Sequence, residues 1–173
     1  MEKIVLAGGC FWCLDAAYRL INGVEDVVCG YAGGSANTAD YHSVSDGNSG
    51  HAEAIEVHFD SAIITISEIF DIFWVIHNPT TLNRQGNDVG SQYRSAIFYA
   101  NEQQRLAAEE SIAAVQKLWD EPIVTQLTKL EAFYAAEDYH QDYFNKNPGQ
   151  GYCQIIINPK LKKLREKFAA KLK

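Results

Sequence analysis

Ile4-Val5-Leu6-Ala7-Gly8-Gly9-Cys10-Phe11-Trp12-Cys13 opens on an apolar run, passes through two glycines and then changes its period. Ile4 to Ala7 reads as a short buried strand, and Gly8-Gly9 ends it. Phe11, Leu14, Tyr18 and Ile21 then recur at helical spacing until Asn22-Gly23 supplies a stop, so Cys10 falls at or next to the first turn of a helix. A thiol at a strand-to-helix turn meets exposed amide groups and the positive end of the helix, and both favour the thiolate.

Downstream of that turn, Asp26 to Gly30 looks like a second short strand, and Tyr31 to Gly50, rich in Gly, Ser, Asn and Asp, is expected to be an irregular functional loop. From Glu53 the pattern alternates: Glu53, Ile55, Val57 and Phe59 share one face, with Ala54, Glu56 and His58 on the other. Ser67 to Ile76 reads as a helix opened by a Ser cap and ended by Asn78-Pro79, followed by a Gly/Asn-rich loop over Leu82 to Gln92 and a strand over Arg94 to Tyr99. Asn101 with Gln104 resembles a capping box for a helix that carries Ala108, Ile112, Val115 and Trp119 on one face. Ile123 to Tyr134 adds strand structure, Glu137 to Phe144 a polar-aromatic segment, and Leu161, Leu164, Phe168 and Leu172 mark an amphipathic helix. The order strand, helix, strand, strand, helix, strand predicts an α+β fold: a ferredoxin-like two-layer sandwich with long irregular loops and a coiled C-terminal segment.

With 173 residues and 47% hydrophobic content, one compact core is expected, a single domain over residues 1–173 whose C-terminal segment spans about 145–173. A formal net charge of -7 argues against nucleic acid as a partner, because phosphate neutralisation needs clustered Lys and Arg, and only Lys160 to Lys173 is basic. No apolar run approaches the roughly 20 residues that cross a bilayer, and the first residues turn glycine-rich before a signal-peptide apolar region is complete. We therefore expect a cytoplasmic monomer with no membrane partner. In a reducing compartment the four cysteines read as reactive or buried thiols rather than a disulfide framework.

Cys10-Phe11-Trp12-Cys13 alone has three common readings: a thioredoxin-like redox pair, half of a zinc site, or coincidence. Zinc needs further ligands, yet there is no second Cys-x-x-Cys, and His42, His51, His58, His77 and His140 form no spaced pair, so no metal is expected. The later strand order does not follow a thioredoxin fold. Phe11 and Trp12 would by default be core packing; beside a nucleophile at an exposed turn, their bulk is better explained as the wall of a pocket for a methyl or thioether group.

Gly9-Cys10-Phe11-Trp12, Gly30-Tyr31-Ala32-Gly33-Gly34, Gly50-His51-Ala52-Glu53, Asn83-Arg84-Gln85-Gly86-Asn87-Asp88-Val89-Gly90, Gln92-Tyr93-Arg94-Ser95 and Tyr139-His140-Gln141-Asp142-Tyr143 closely resemble, in sequence and in order, the motifs of the peptide methionine sulfoxide reductase A family. The likeness extends to Cys153. It implies thiol-dependent reduction of the S epimer of methionine sulfoxide, free or in proteins, with no cofactor and with thioredoxin as the reductant. By the same resemblance Cys10 is the nucleophile, Glu53 the acid, and Tyr41, Asp88 and Tyr93 the polar side of the pocket. A sulfoxide oxygen leaves poorly unless protonated, so the acid must keep its proton near neutral pH, and Glu53 shares an apolar face where burial raises its pKa. Tyr41 and Tyr93 can donate phenolic hydrogen bonds to that oxygen as charge develops there. His51 could orient Glu53 or merely close a loop.

Attack leaves Cys10 as a sulfenic acid that a second thiol must condense with. Cys153 is the expected resolving thiol, in the glycine-rich and mobile-looking stretch Asn147-Pro148-Gly149-Gln150-Gly151-Tyr152-Cys153, similar to the C-terminal cysteine of family members. Cys13 is the alternative, one helical turn away, where a bridge would strain the helix. Cys29, in an apolar run, reads as a buried structural thiol.

Overall fold

The computed structural model describes residues 1–173. β1 (Glu2–Ala7) turns through Gly8 and Gly9 into α1 (Phe11–Tyr18), followed by β2 (Val24–Ala32), α2 (Tyr41–Ser45), β3 (Ala52–Phe59) and α3 (Ile66–Ile76). A small hairpin, β4 (Arg84–Gln85) with β5 (Asp88–Val89), leads to β6 (Ala96–Tyr99), α4 (Glu102–Gln116), β7 (Gln126–Lys129), β8 (Phe133–Ala135), α5 (Tyr143–Lys146) and α6 (Asn158–Lys167). No helix is long and apolar enough to cross a membrane.

Six strands form one sheet in the order β7-β6-β1-β3-β2-β8, antiparallel throughout except between β6 and β7. Period-two alternation divides it. Ile4, Leu6, Ile55, Val57, Phe59 and Ile97 face the helices and form the main core with Leu14, Phe70 and Phe73, while Val5, Ala7, Ala52, Ala54, Ala96 and Phe98 form a second, smaller cluster on the other face. The alanines on that face have a geometric cause. β7 and β8 are opposite edges, yet only Leu130–Ala132 separate them in the chain, a link that reaches about 14 Å at most. Six flat strands would hold their edges ~24 Å apart. The sheet must therefore curl, and small side chains with Leu130 and Phe133 fill its concave side.

α3 anchors the helical layer. Thr65 accepts from Glu68 N–H, and the Glu68 carboxylate accepts from Thr65 N–H, so both orphan donors are satisfied. Ile69, Phe70, Ile72, Phe73 and Ile76 are buried, each contributing roughly 1.5–3 kcal/mol over exposure.

Several expectations are corrected. The α3 cap is Thr65, not Ser67. The stretch from Tyr31 to Gly50 is more ordered than expected: β2 extends to Ala32, and Asp40 caps α2 by accepting from Ser43 N–H at 2.8 Å. Ile123 to Tyr134 is two strands on opposite edges. The expected C-terminal amphipathic helix is α6, which carries Leu161 and Leu164 but ends before Phe168 and Leu172, and the stretch before it is helical rather than coiled: a helix starts at Gly151, widens into a π-turn over Cys153–Ile157 and continues as α6. Pro159 lies in that continuous helix; its ring crowds the carbonyl four residues back, and a locally wider turn relieves the clash. The Gln150 side chain accepts from the N–H groups of Tyr152 and Cys153, capping the helix start.

Candidate active site

The turn after β1 is fixed from both sides. Gly8 lies against the His77 ring, where a Cβ would come within 2.9 Å, and Gly9 adopts φ +90° with the Gln85 side chain 2.8 Å from where its own Cβ would be. Only glycine combines that backbone with that approach. His77 is a buried pillar between Phe73 O at 2.6 Å and Ser95 Oγ at 2.7 Å, and burial lowers its pKa to about 3, so it is neutral. Cys10 consequently becomes the N-cap of α1, and the first residue of that helix, Phe11, donates its N–H to Glu53 Oε1 at 3.2 Å.

Cys10, Phe11, Trp12, Tyr41, Glu53, Asp88, Tyr93 and Tyr152 line one cavity of about 190 Å³. Every side chain expected at the catalytic or pocket wall positions is therefore gathered there, from six separate parts of the chain. Glu53 lies near the start of β3, on the core side, and is 2% exposed. Burial raises its pKa to about 8 against the pull of the Phe11 N–H, so near neutrality it is a carboxylic acid. Its protein hydrogen bond occupies Oε1, leaving Oε2 to carry the proton. Burial and Glu53 likewise keep the phenols of Tyr41 and Tyr93 protonated, hence hydrogen-bond donors.

The two thiols of α1 influence each other. Burial, Cys13 and Glu53 hold the Cys10 thiol well above its ordinary range, while the backbone N–H of Trp12 pulls it down. Cys13 is lowered to about 7, chiefly by its Cys10 neighbour. Cys29 is fully buried, its thiol directed at Phe11 O at 3.8 Å, as expected of a structural thiol. Cys153 is fully buried on the π-turn, and burial raises its pKa. All four cysteines are free.

Residues missed in the sequence hold the walls. Tyr152 donates to Asp88 Oδ2 at 2.8 Å and lies 3.8 Å from Cys13 Sγ, which ties the cavity to the C-terminal helix. Trp12 donates its indole N–H to His140 Nδ1 at 3.1 Å and stacks on Tyr143 at 3.8 Å. The Gln141 side chain clamps both N–H and C=O of Cys29, and Glu137 accepts from Tyr41 N–H and Tyr31 O–H. The 137–143 segment was legible as a motif without roles; its side chains turn out to orient the aromatic wall. His51 closes a loop instead of orienting Glu53: it accepts from Gly34 N–H and faces Ser35 O at 2.8 Å.

A cysteine at a helix N-terminus, facing an uncharged carboxyl across a small aromatic cavity on a curled α+β scaffold, is the layout of a thiol-based enzyme. The chain belongs to the peptide methionine sulfoxide reductase family, whose model matches residues 2–172. It is 52% identical over 170 residues to peptide methionine sulfoxide reductase MsrA of Arthrobacter sp. (strain FB24), covering 98% of each chain. Mxr1 from Saccharomyces cerevisiae in reduced form superposes with a TM-score of 0.84 at 36% identity, covering 88% of both chains. Mxr1 in complex with Trx2 matches with a TM-score of 0.60 at 28% identity, covering 82% of this chain and 84% of that one.

Proposed function

We propose that this chain reduces the S epimer of methionine sulfoxide, free or in proteins, to methionine, through attack of Cys10 on the sulfoxide sulfur. The observation that carries the reading is the cavity itself: Cys10 and a protonated Glu53 border the same ~190 Å³ space, walled by Phe11 and Trp12, a volume suited to a methyl thioether. Glu53 gives its proton to the sulfoxide oxygen as the Cys10 sulfur attacks, the proton leaving the Cys10 thiol restores the Glu53 acid, and Tyr41 and Tyr93 donate hydrogen bonds to the same oxygen. Oxygen passes from substrate to enzyme: one thiol and one sulfoxide become one sulfenic acid and one thioether. Asp88, engaged by Tyr152, organises the polar rim.

The sulfenic acid then condenses with a second thiol, releasing water and forming a disulfide that thioredoxin reduces. The Trx2 complex of the yeast relative supports that reductant. Cys153 is the resolving thiol in this reading, reached by opening the π-turn that buries it. The Cys13 thiol, lowered to about 7 beside Cys10, favours a second reading in which Cys13 resolves. Cys10 is the cap of α1 rather than part of its regular turns, so a bridge to Cys13 strains the helix less than its spacing alone suggests.

The four-strand order β6-β1-β3-β2, with α1 and α3 as crossovers, supports reading the centre of the sheet as ferredoxin-like, with β7 and β8 added at its edges. We read the chain as a single catalytic domain over residues 1–173, with the resolving cysteine in segment 145–173, acting as a monomer. Four free thiols support a reducing, cytoplasmic setting. The test is chromatographic assay of separated sulfoxide epimers with a dithiol as reductant. We expect turnover of the S epimer; turnover of the R epimer alone overturns the proposal.

A further inference from the structure

The cavity around Cys10 does not end at the reacting sulfur. A trench of about 770 Å³ that also contains Cys10 leads away past Asp88, Tyr152, Ile155 and Ile156 to Trp74 and Trp119. There it joins a second groove of about 680 Å³ between α3, α4 and α6, sharing Trp74, Val75, Trp119 and Lys163 with it. The trench lining combines apolar residues, Trp74, Trp119, Ile155 and Ile156 among them, with polar Asn78, Gln85 and Asn87, and Ile155 at 72% and Leu118 of the outer groove at 82% are exposed hydrophobic side chains.

One wall is basic. Lys160 and Lys163 of α6 face the inner trench and Lys163 and Lys167 the outer groove, at i, i+3 and i+7, a single stripe of that helix. None of the three takes part in an ion pair. Asp71 and Glu110 lie in the outer groove, but in the inner trench the only carboxylate is Asp88, already bonded by Tyr152. In a chain of net charge -7, Lys160 and Lys163 line the same trench as Cys10 with no carboxylate paired to either, although Lys160 also helps to lower the pKa of Cys13.

We propose that this trench holds the polypeptide flanking an oxidised methionine and favours apolar and acidic residues there. The inference rests on Cys10 acting on methionine sulfoxide; given that, the chain attached to the seated side chain must leave along a surface continuous with Cys10, and the trench is such a surface. Lys160 and Lys163 meet an acidic residue a few positions from the sulfoxide, and the Trp74 and Trp119 edges meet an apolar one. Partly exposed charge pairs are modest and screened by salt, so the preference is one of degree.

The experiment uses blocked peptides in which the oxidised methionine is followed, or in a second set preceded, by Leu and then two Glu or two Lys. With dithiothreitol as reductant at low salt, we expect the Glu peptide of one set to exceed its Lys counterpart in kcat/KM by roughly three- to tenfold. Most of that ratio should vanish near 0.5 M salt, a condition chosen on the order of the screening limit. The K160E/K163E double variant, its fold checked by circular dichroism, should invert the ratio. Equal kcat/KM for Glu and Lys peptides in both sets, or a ratio the double variant leaves unchanged, overturns the trench assignment. A variant that alters only the KM for thioredoxin overturns it too, giving the trench to the reductant. N-acetylmethionine sulfoxide amide separates the two levels of the argument: if the unaltered chain cannot turn it over, the underlying function fails, whereas turnover without flank preference removes only the trench.

Discussion

Cys10 and Cys153 are held in opposite ways. Cys10 sits where a central strand meets a helix, with Gly8 against His77, Gly9 against Gln85 and the following N–H bonded to buried Glu53; moving it would disturb three elements at once. Cys153 is fully buried where Cys10 is only half-buried, yet it sits on a π-turn shortly before Pro159, two residues after a glycine and next to a tyrosine that bonds across to Asp88. The first arrangement fixes the proposed nucleophile in place, while the second buries a thiol on a widened turn that the proposed resolving step requires to open. Local stability is uneven across a fold, and segments that must move are drawn from its weaker part.

The largest test of that contrast removes the proton from the rigid region. Glu53→Gln should lower single-turnover sulfoxide reduction by about 10²–10⁴-fold, measured by rapid quench; a near-normal rate would break the acid assignment. In the unaltered chain the same step should fall as pH rises through about 8, where Glu53 ionises. The substitution also has a stability consequence with a definite sign. A raised folded-state pKa means that Glu53 favours folding less as pH climbs from its ordinary value towards 8, so the Gln variant should gain stability over the parent at pH 7–8, on the order of 3–4 kcal/mol. Urea denaturation at pH 5 and pH 8 reads the difference.

Next in size is the division of labour between thiols. Cys153→Ser should retain one stoichiometric turnover and lose thioredoxin-linked cycling, and mass-spectrometric mapping after one equivalent of substrate should find Cys10 bridged to Cys153 in the parent. Unchanged cycling, or a Cys10 to Cys13 bridge as the end product, transfers the role to Cys13.

The smallest effects compare glycines. Gly9→Ala, with φ +90° and Gln85 in the way, should cost about 2 kcal/mol and lower the melting temperature. Gly151→Ala, at the helix start with no atom within 4 Å, should instead stabilise by about 0.5 kcal/mol while slowing cycling if the helix must open. Equal melting shifts for both would erase the distinction between the two regions.

The same contrast explains what could be read from the sequence. The strand-turn-helix at Cys10, the β3 alternation that buries Glu53 and the α4 start, where Asn101 accepts from Gln104 N–H, are written in local periodicity and capping chemistry. Even there a detail moved: Gln104 reaches back to Ala100 N–H and to Lys3 O instead of closing the box on Asn101. What stayed hidden depends on contacts far apart in the chain. Tyr152 reaches Asp88, 64 residues away, and His140 reaches Trp12, 128 residues away; no spacing rule encodes such pairs. The glycines near Cys153 suggested a mobile coil, but glycine only permits departure from a helix, and Gln150 capping with burial of Cys153, Ile157, Leu161 and Leu164 selects the helix. The edge strands were merged because composition cannot tell which side of a sheet a residue joins.

The three residues between β7 and β8 set a limit on how this architecture tolerates change in length. Surface loops usually absorb insertions at small entropic cost, and the exposed bend at residues 120–122 is such a place. Lengthening residues 130–132 would let the two margins of the sheet drift apart and open the alanine-lined hollow to water, so chain-length variation should be concentrated in the former and excluded from the latter.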